Sequence, residues 1–225
     1  MTQRKRIILQ AAMLGALAGI LATRHGHFEI PAALDTALLA HRNFLFAAAA
    51  GWLVFSVYWE IAAKDEAATK SAESGSSRGI HVLLANLALA LEFLPIRGLG
   101  RFLPVSIPIM TAGLAVVAMG LFLTIWARRC LGRNWSGEIS IKVDHQLIRS
   151  GPYKLLRHPI YTGLLTMYVG TAIVTGERLA MIGLAMAFFA YWRKIRLEEA
   201  NLNVAFGSDY DAYRRETWAL VPGLF

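Results

Sequence analysis

Arg157-His158-Pro159-Ile160-Tyr161-Thr162-Gly163 puts a guanidinium, an imidazole and a phenol around one proline. The stretch sits between a basic polar loop and an apolar run, and Glu198-Glu199 closes the next apolar run. Pro159 reads as the first turn of a helix, where a missing N–H costs nothing. The free N–H groups and the positive dipole end of that helix then face the polar loop and can receive an anion. An anion cradle, two basic groups and a pair of carboxylates at a membrane surface form a site for a charged small molecule.

The elements that must position these groups are apolar. Hydrophobic segments run over Ile7–Thr23, Asn43–Ala63, Gly79–Leu94, Val105–Ala127, Ile160–Thr175 and Leu179–Trp192. The fourth is long enough to cross a hydrocarbon core of ~30 Å on its own. The shorter ones are expected to continue as helices into flanking polar residues. Only Gly176-Glu177-Arg178 separates the last two, so they are expected to form an antiparallel hairpin. Phe206 to Arg215 reads as a turn and a short helix, with Tyr210 and Tyr213 on one face packing over the site or lying at headgroup level. The fold class is therefore all-α: a polytopic membrane bundle of about six transmembrane helices, with N-terminal helices over 1–104 and a C-terminal catalytic region over 105–225.

The whole chain supports a membrane class. It has 225 residues, 56% of them hydrophobic, and its net charge is +8. A soluble domain is usually about 45–50% apolar. The positive charge fits topology and anionic lipid, and no aromatic–basic interleaving points to nucleic acid. Cys130 is the only cysteine, which excludes an internal disulfide and a thiolate zinc site. His25, His27, His41 and His81 lack metal-ligand spacing, so no metal is expected. Gly15 and Gly19 form a small-residue pair in the first segment, read as packing within the bundle.

Lys and Arg concentrate in residues 1–6 and in the loop 128–158, which carries seven. Six spans with both termini inside place those loops, the 64–78 loop and the site on the cytoplasmic side. A lipophilic acceptor then needs a lateral door, expected between the helix starting at Pro159 and the fourth span, where Gly113 and Gly120 leave room.

In chain order, His145-Gln146-Leu147-Ile148, Ser150-Gly151-Pro152-Tyr153, Arg157 to Gly163, Glu198-Glu199, and Phe206-Gly207 with Tyr210 and Tyr213 resemble the isoprenylcysteine carboxyl methyltransferase family. That family belongs to a wider group with membrane phospholipid methyltransferases. The resemblance covers roughly residues 120–225. It implies S-adenosylmethionine (S-adenosyl-L-methionine) as methyl donor in a cytoplasmic pocket lined by Glu138, His145, Gln146, Leu147, Ile148, Tyr153, His158, Pro159, Ile160, Tyr161 and Glu198. It also implies a prenylated or other lipophilic acceptor beside membrane lipids. Lys194, one turn before Glu198, stands where the family's eukaryotic enzymes use an arginine for the acceptor carboxylate, and a lysine lacks that bidentate fork. Arg157 holds the acceptor carboxylate or locks the cofactor turn, so Arg157, Lys194 and Glu198 are the candidate catalytic set.

The residues themselves agree with that donor. Its carboxylate suits the helix start with His158, and its amine suits Glu198. Two competing functions remain: an NADPH-dependent membrane reductase of the sterol type, which shares an arginine-histidine-proline motif, and a non-catalytic scaffold of the same fold. The reductases carry an Arg-Asp pair with a Cys where this chain has Leu197-Glu198-Glu199.

Overall fold

The computed structural model describes residues 32–62, 69–72, 75–96, 98–135, 140–142 and 146–223. The expected first span at Ile7–Thr23 lies outside the described residues, as do Glu138 and His145. Among the described residues, five long helices pack together: α1 (Ala32–Ala62), α2 (Gly75–Phe93), α3 (Ile107–Leu131), α4 (Pro159–Thr175) and α5 (Arg178–Phe206). A short α6 (Ser208–Glu216) follows. Within the described residues, α1 over Leu39–Ala62 and α3 are long and apolar enough to cross a membrane, and α4 is a shorter apolar helix. Apolar side chains also face outward, among them Ile61, Phe122 and Phe189, each more than 60% exposed. An apolar exterior is what a helix facing hydrocarbon needs; in water it would be a liability.

The helix bounds follow local chemistry. Pro108 lies in the first turn of α3 and Pro159 opens α4. Gly176 ends α4 in the left-handed conformation, φ +63°, and its N–H caps the Ala172 carbonyl. The expected hairpin of α4 and α5 turns there. α5 continues well past Trp192 through the polar stretch to Phe206, as expected of the short apolar segments. The expected turn and short helix after it are Gly207, φ +53°, and α6.

Beside the helices the described residues hold one short ribbon. Thr69–Ala72 pairs antiparallel with Ser140–Lys142 in a two-stranded ribbon. Part of what reads as a Ser- and Ala-rich loop is thus a strand. The ribbon satisfies backbone groups of two long connections at the same end of the bundle.

Packing is set by small residues. On α3 and α4, Gly113 faces Gly170 and Gly120 faces Gly163, the two pairs in antiparallel register. A Cβ on Gly120 would lie 2.5 Å from the Gly163 carbonyl oxygen, and one on Gly170 would lie 2.6 Å from the Val117 nitrogen. The room at Gly113 and Gly120 is therefore filled by the backbone of α4. The lateral door expected between these two helices is not there. Backbones approach this closely only where side chains are absent, the usual device of membrane helix pairs. α2 meets α5 likewise, where a Cβ on Gly183 would lie 2.6 Å from the Ala88 carbonyl oxygen. Trp52 of α1 donates to the Thr171 hydroxyl of α4 at 3.0 Å, a buried bond across the bundle.

The loops sort to two ends. At one, Arg128 donates to the Ala62 carbonyl and Arg193 to the Ser77 hydroxyl, and the ribbon joins 69–72 to 140–142. At the other, Arg101 and Glu177 form an ion pair at 2.9 Å, and the Phe102 N–H donates to the Gly176 carbonyl. The five long helices therefore alternate in direction, and the site lies at the first end with α6 and the tail after it.

Candidate active site

His158 is the N-cap of α4, and its ring lies between two carboxylates of α5. Nδ1 is 3.5 Å from Glu198 Oε2 and Nε2 is 3.3 Å from Glu199 Oε1. The ring is buried and stacks on Tyr161 at 5.8 Å between centroids. Tyr161 donates its hydroxyl to Glu198 at 2.5 Å. Tyr191 packs against Tyr161 at 5.3 Å, and Lys194 is buried on the same helix. Tyr191, Lys194 and Glu198 share a face because they fall at i, i+3 and i+7.

The charges reinforce one another. Burial opposes charge on His158, but the hydrogen bonds to Glu198 and Glu199 and their negative charge outweigh it and raise its pKa above the ordinary histidine value. Burial likewise opposes ionisation of Glu199, yet the bonds from His158 and Arg157 hold its carboxyl down at about 2. Glu198 is also lowered: burial works against it, and the His158 bond, the Lys194 charge and the Tyr161 bond prevail. Both imidazole nitrogens face carboxylates, so a doubly protonated ring satisfies the geometry.

Arg157 lines a cavity of about 440 Å³ with Asp211, Arg214, Arg215, Glu216, Thr217 and Trp218, and its guanidinium is engaged within the protein. Its Nε donates to Glu199 Oε1 at 2.8 Å, and one terminal nitrogen donates to the Arg214 and Thr217 carbonyls. These bonds tie the turn that begins α4 to the tail. The backbone does the same. The Arg157 and His158 N–H groups donate to the Trp218 and Ala219 carbonyls, and Trp218 N–H returns to Leu155. The Thr162 hydroxyl donates to the Leu220 carbonyl at 2.8 Å. The C-terminal tail is thus sewn along the turn that begins α4. α4's first intrahelical bond runs from Thr162 N–H to the His158 carbonyl, so Ile160 and Tyr161 N–H have no intrahelical acceptor.

Of the other expected residues, Tyr153, Pro159 and Ile160 adjoin this cluster. Tyr153 is buried in a 3₁₀ turn (Gly151–Lys154), where burial first, and then the Glu198 charge, push its phenol well above the ordinary value. Pro159 and Ile160 are buried beneath the site. Gln146 N–H donates to Asn134 Oδ1 at 3.2 Å, and Ile148 packs on the core. Gln146 is exposed and Leu147 half-buried on this segment. Of the two placements open to Tyr213, over the site or at headgroup level, the structure has it packed inward: its hydroxyl donates to the Tyr153 and Leu156 carbonyls. Tyr191 and the tail carbonyls at 217–220 were not singled out by sequence. Helical spacing from Glu198 points to the first, whereas backbone acceptors leave no residue-type signal.

A family model described as phospholipid methyltransferase matches residues 108–209, the span from α3 into α6. A probable protein-S-isoprenylcysteine O-methyltransferase of Oryza sativa subsp. indica is 31% identical over 113 residues, 49% of this chain and 59% of that protein. Protein-S-isoprenylcysteine O-methyltransferase A of Arabidopsis thaliana is 30% identical over 145 residues, 63% of this chain and 74% of that one. The chain spans only 59% of the length of the rice relatives it matches. Among solved structures, a eukaryotic intramembrane Ras methyltransferase, isoprenylcysteine carboxyl methyltransferase, superposes with a TM-score of 0.53 at 16% identity. The match covers 99% of this chain and 87% of that one, a likeness of fold. With a relative 30% identical and matched over 74% of its length, the chain belongs to the isoprenylcysteine carboxyl methyltransferase family.

Proposed function

We propose that this protein is an integral membrane methyltransferase that uses S-adenosylmethionine to methylate a carboxylate on an isoprenylcysteine-like or other lipophilic acceptor. The observation that carries the reading is Glu198: a carboxylate held ionised by His158 and Tyr161 beneath the polar end of an apolar bundle, in a chain of this family.

The residues present fit the donor. Its ammonium needs a fixed negative group, which Glu198 supplies. Its sulfonium is a soft cation, and the Tyr161, Tyr191 and Tyr153 rings near Glu198 offer aromatic faces. Its carboxylate finds donors at the start of α4, where Ile160 and Tyr161 N–H lack intrahelical acceptors. His158 acts on Glu198 and not on the carboxylate, because both its nitrogens are engaged. When bound, the donor supplies the electrophilic methyl group.

What the chain contributes is positioning and exclusion of water. Glu198 fixes one end of the donor, and the buried aromatic wall keeps solvent from the sulfonium side. An acceptor carboxylate is already a nucleophile, so no general base is needed. Lys194, buried one turn from Glu198, is the cation assigned to steer that carboxylate. Bringing carboxylate and sulfonium together neutralises charge, which a dry site favours. A cytoplasmic side for the active site and both termini is supported by the Lys and Arg count of the loops.

Isothermal calorimetry of the purified protein in lipid nanodiscs tests the reading. S-adenosylhomocysteine should bind and NADPH should not. A radiolabelled methyl donor offered with prenylcysteine acids, isoprenoid acids, thiols and phospholipid amines then identifies the acceptor. Binding of NADPH alone would replace this reading with a reductase.

A further inference from the structure

We infer that Glu199 is a positioning residue: gripped by Arg157 and through it by the C-terminal tail, it holds the His158 ring so that the opposite nitrogen serves Glu198. The inference rests on the proposed role of Glu198 toward the donor's amine.

The geometry is a chain of alternating charge. Glu199 Oε1 receives both Arg157 Nε at 2.8 Å and His158 Nε2 at 3.3 Å. The far side of the same imidazole faces Glu198 Oε2 at 3.5 Å. Guanidinium, carboxylate, imidazolium and carboxylate thus lie in sequence, and a bound ammonium would be the fifth member. Rotating the ring away from Glu199 would also take Nδ1 from Glu198. The first link is itself fixed, since Arg157 donates to the Arg214 and Thr217 carbonyls. Arg214 adds a second cation, 3.9 Å from Glu199 Oε2.

The other groups facing His158 do not replace this contact. From α5 come Glu198 and, behind it, Lys194. From α4 comes the Tyr161 ring, stacked on the imidazole and hydrogen-bonded to Glu198. Tyr153 reaches the cluster from its 3₁₀ turn through Glu198. Removing the Glu199 charge leaves His158 beside one carboxylate that already receives Tyr161. The raised His158 pKa accords with two carboxylate partners.

A plain structural bridge would predict something different. If Glu199 only ties α5 to the tail, its loss weakens the fold and lowers donor affinity alike at all pH values. If it sets the state of His158, the loss depends on pH. The test uses protein in nanodiscs with ¹⁵N- and ¹³C-labelled histidine, with His158→Asn assigning the resonance. In the wild type at about pH 7, where an ordinary histidine is mostly neutral, both His158 nitrogens should carry protons. In Glu199→Gln the His158 midpoint should fall by about one pH unit or more, the usual effect of a close opposite charge. S-adenosylhomocysteine should then bind this variant about tenfold more weakly than wild type at about pH 8, and recover at about pH 6 as the imidazolium returns. A neutral His158 ring in the wild type overturns the inference, whether or not the variant folds. An unmoved midpoint, or an affinity loss equal at both pH values, does so as well. If the wild type binds no S-adenosylhomocysteine, the proposed function fails, and the His158 titration still decides the role of Glu199.

Discussion

Gly120 of α3 and Gly163 of α4 are in backbone contact: a Cβ on Gly120 would lie 2.5 Å from the Gly163 carbonyl oxygen, and one on Gly163 would lie 2.7 Å from the Gly120 carbonyl oxygen. Gly113 and Gly170 repeat the arrangement two turns away. The helix that carries the Arg157–Tyr161 segment is therefore seated against α3 by shape alone. Gly120→Leu cannot be accommodated by a side-chain shift, because the obstacle is backbone. The variant should lose thermal stability and S-adenosylhomocysteine binding together, with overpacking of this kind costing about 1–3 kcal/mol or more. Thermal unfolding in nanodiscs checks it. Wild-type stability with selective loss of long-chain acceptors would restore an acceptor path between α3 and α4.

The removal of Glu198 tests donor binding. Its carboxylate meets the buried His158 ring and the Tyr161 hydroxyl, so unfolding temperature is read beside affinity. Glu198→Ala should weaken S-adenosylhomocysteine by about 1.5–3 kcal/mol, the range for a hydrogen bond to a charged group. Calorimetry at neutral pH reads it directly. Unchanged affinity would remove Glu198 from the donor site.

Much of this arrangement was legible in residue types. Pro159 marks the start of α4 because proline fits a first turn, and Gly176 marks its end because a left-handed residue is needed there. The short helix after Gly207 was legible for the same reason. Pairing was not. Gly113 and Gly120 advertise a close approach without naming what fills it, and an empty door reads the same as a buried seam. Arg157 was ambiguous in a similar way. Besides Glu199, its acceptors are backbone carbonyls at 214 and 217, and any residue supplies a carbonyl. The grouping of Glu198 with His158 was suggested by family order, whereas the division of labour between Glu198 and Glu199 required coordinates.

Stability should depend on pH on both sides of neutrality. The Glu199 carboxyl is depressed to about 2, and Glu198 is also lowered. A depressed carboxylate stabilises the fold above its unfolded pKa near 4.5 and loses that contribution as pH falls toward its folded value. His158 has the opposite sign. Its raised pKa stabilises below the unfolded value near 6.5, and the contribution is lost as pH rises through the higher folded value. Unfolding temperature should therefore be highest between those limits and decline in both directions. Glu199→Gln should flatten both the acid and the alkaline arms, because it removes a depressed carboxylate and a partner of His158. An alkaline arm identical to that of the wild type would argue against the contact.

Tyr213 tests how far the tail supports the site. Its buried hydroxyl donates to the Tyr153 and Leu156 carbonyls, on either side of the residue that starts the Arg157 turn. Tyr213→Phe keeps the ring and leaves both carbonyls short of a donor. The cost to stability should be about 1–3 kcal/mol. Donor affinity should fall by less than in Glu198→Ala, since no group that would meet the donor is removed. Equal losses of affinity in the two variants would mean that the tail, and not Glu198, dominates donor binding.

The sidedness of the bundle can be read with single cysteines. Gly75 begins α2 at the site end, where an added Cβ meets open space. Ile96 lies exposed at the other end, close in sequence to the strand-like contact of Arg101 with Glu177. The seven Lys and Arg residues of 128–158 should hold the site end in the cytoplasm. In a Cys130→Ala background, an impermeant maleimide added to intact cells should label Ile96→Cys and spare Gly75→Cys. Opening the cells should expose Gly75→Cys. The positive-inside argument concerns the whole bundle, so both positions must obey it together. Labelling of Gly75→Cys from outside would invert the protein, placing Glu198 and the donor pocket away from the cytoplasmic supply of S-adenosylmethionine, and would count against the proposed reaction as well as the topology.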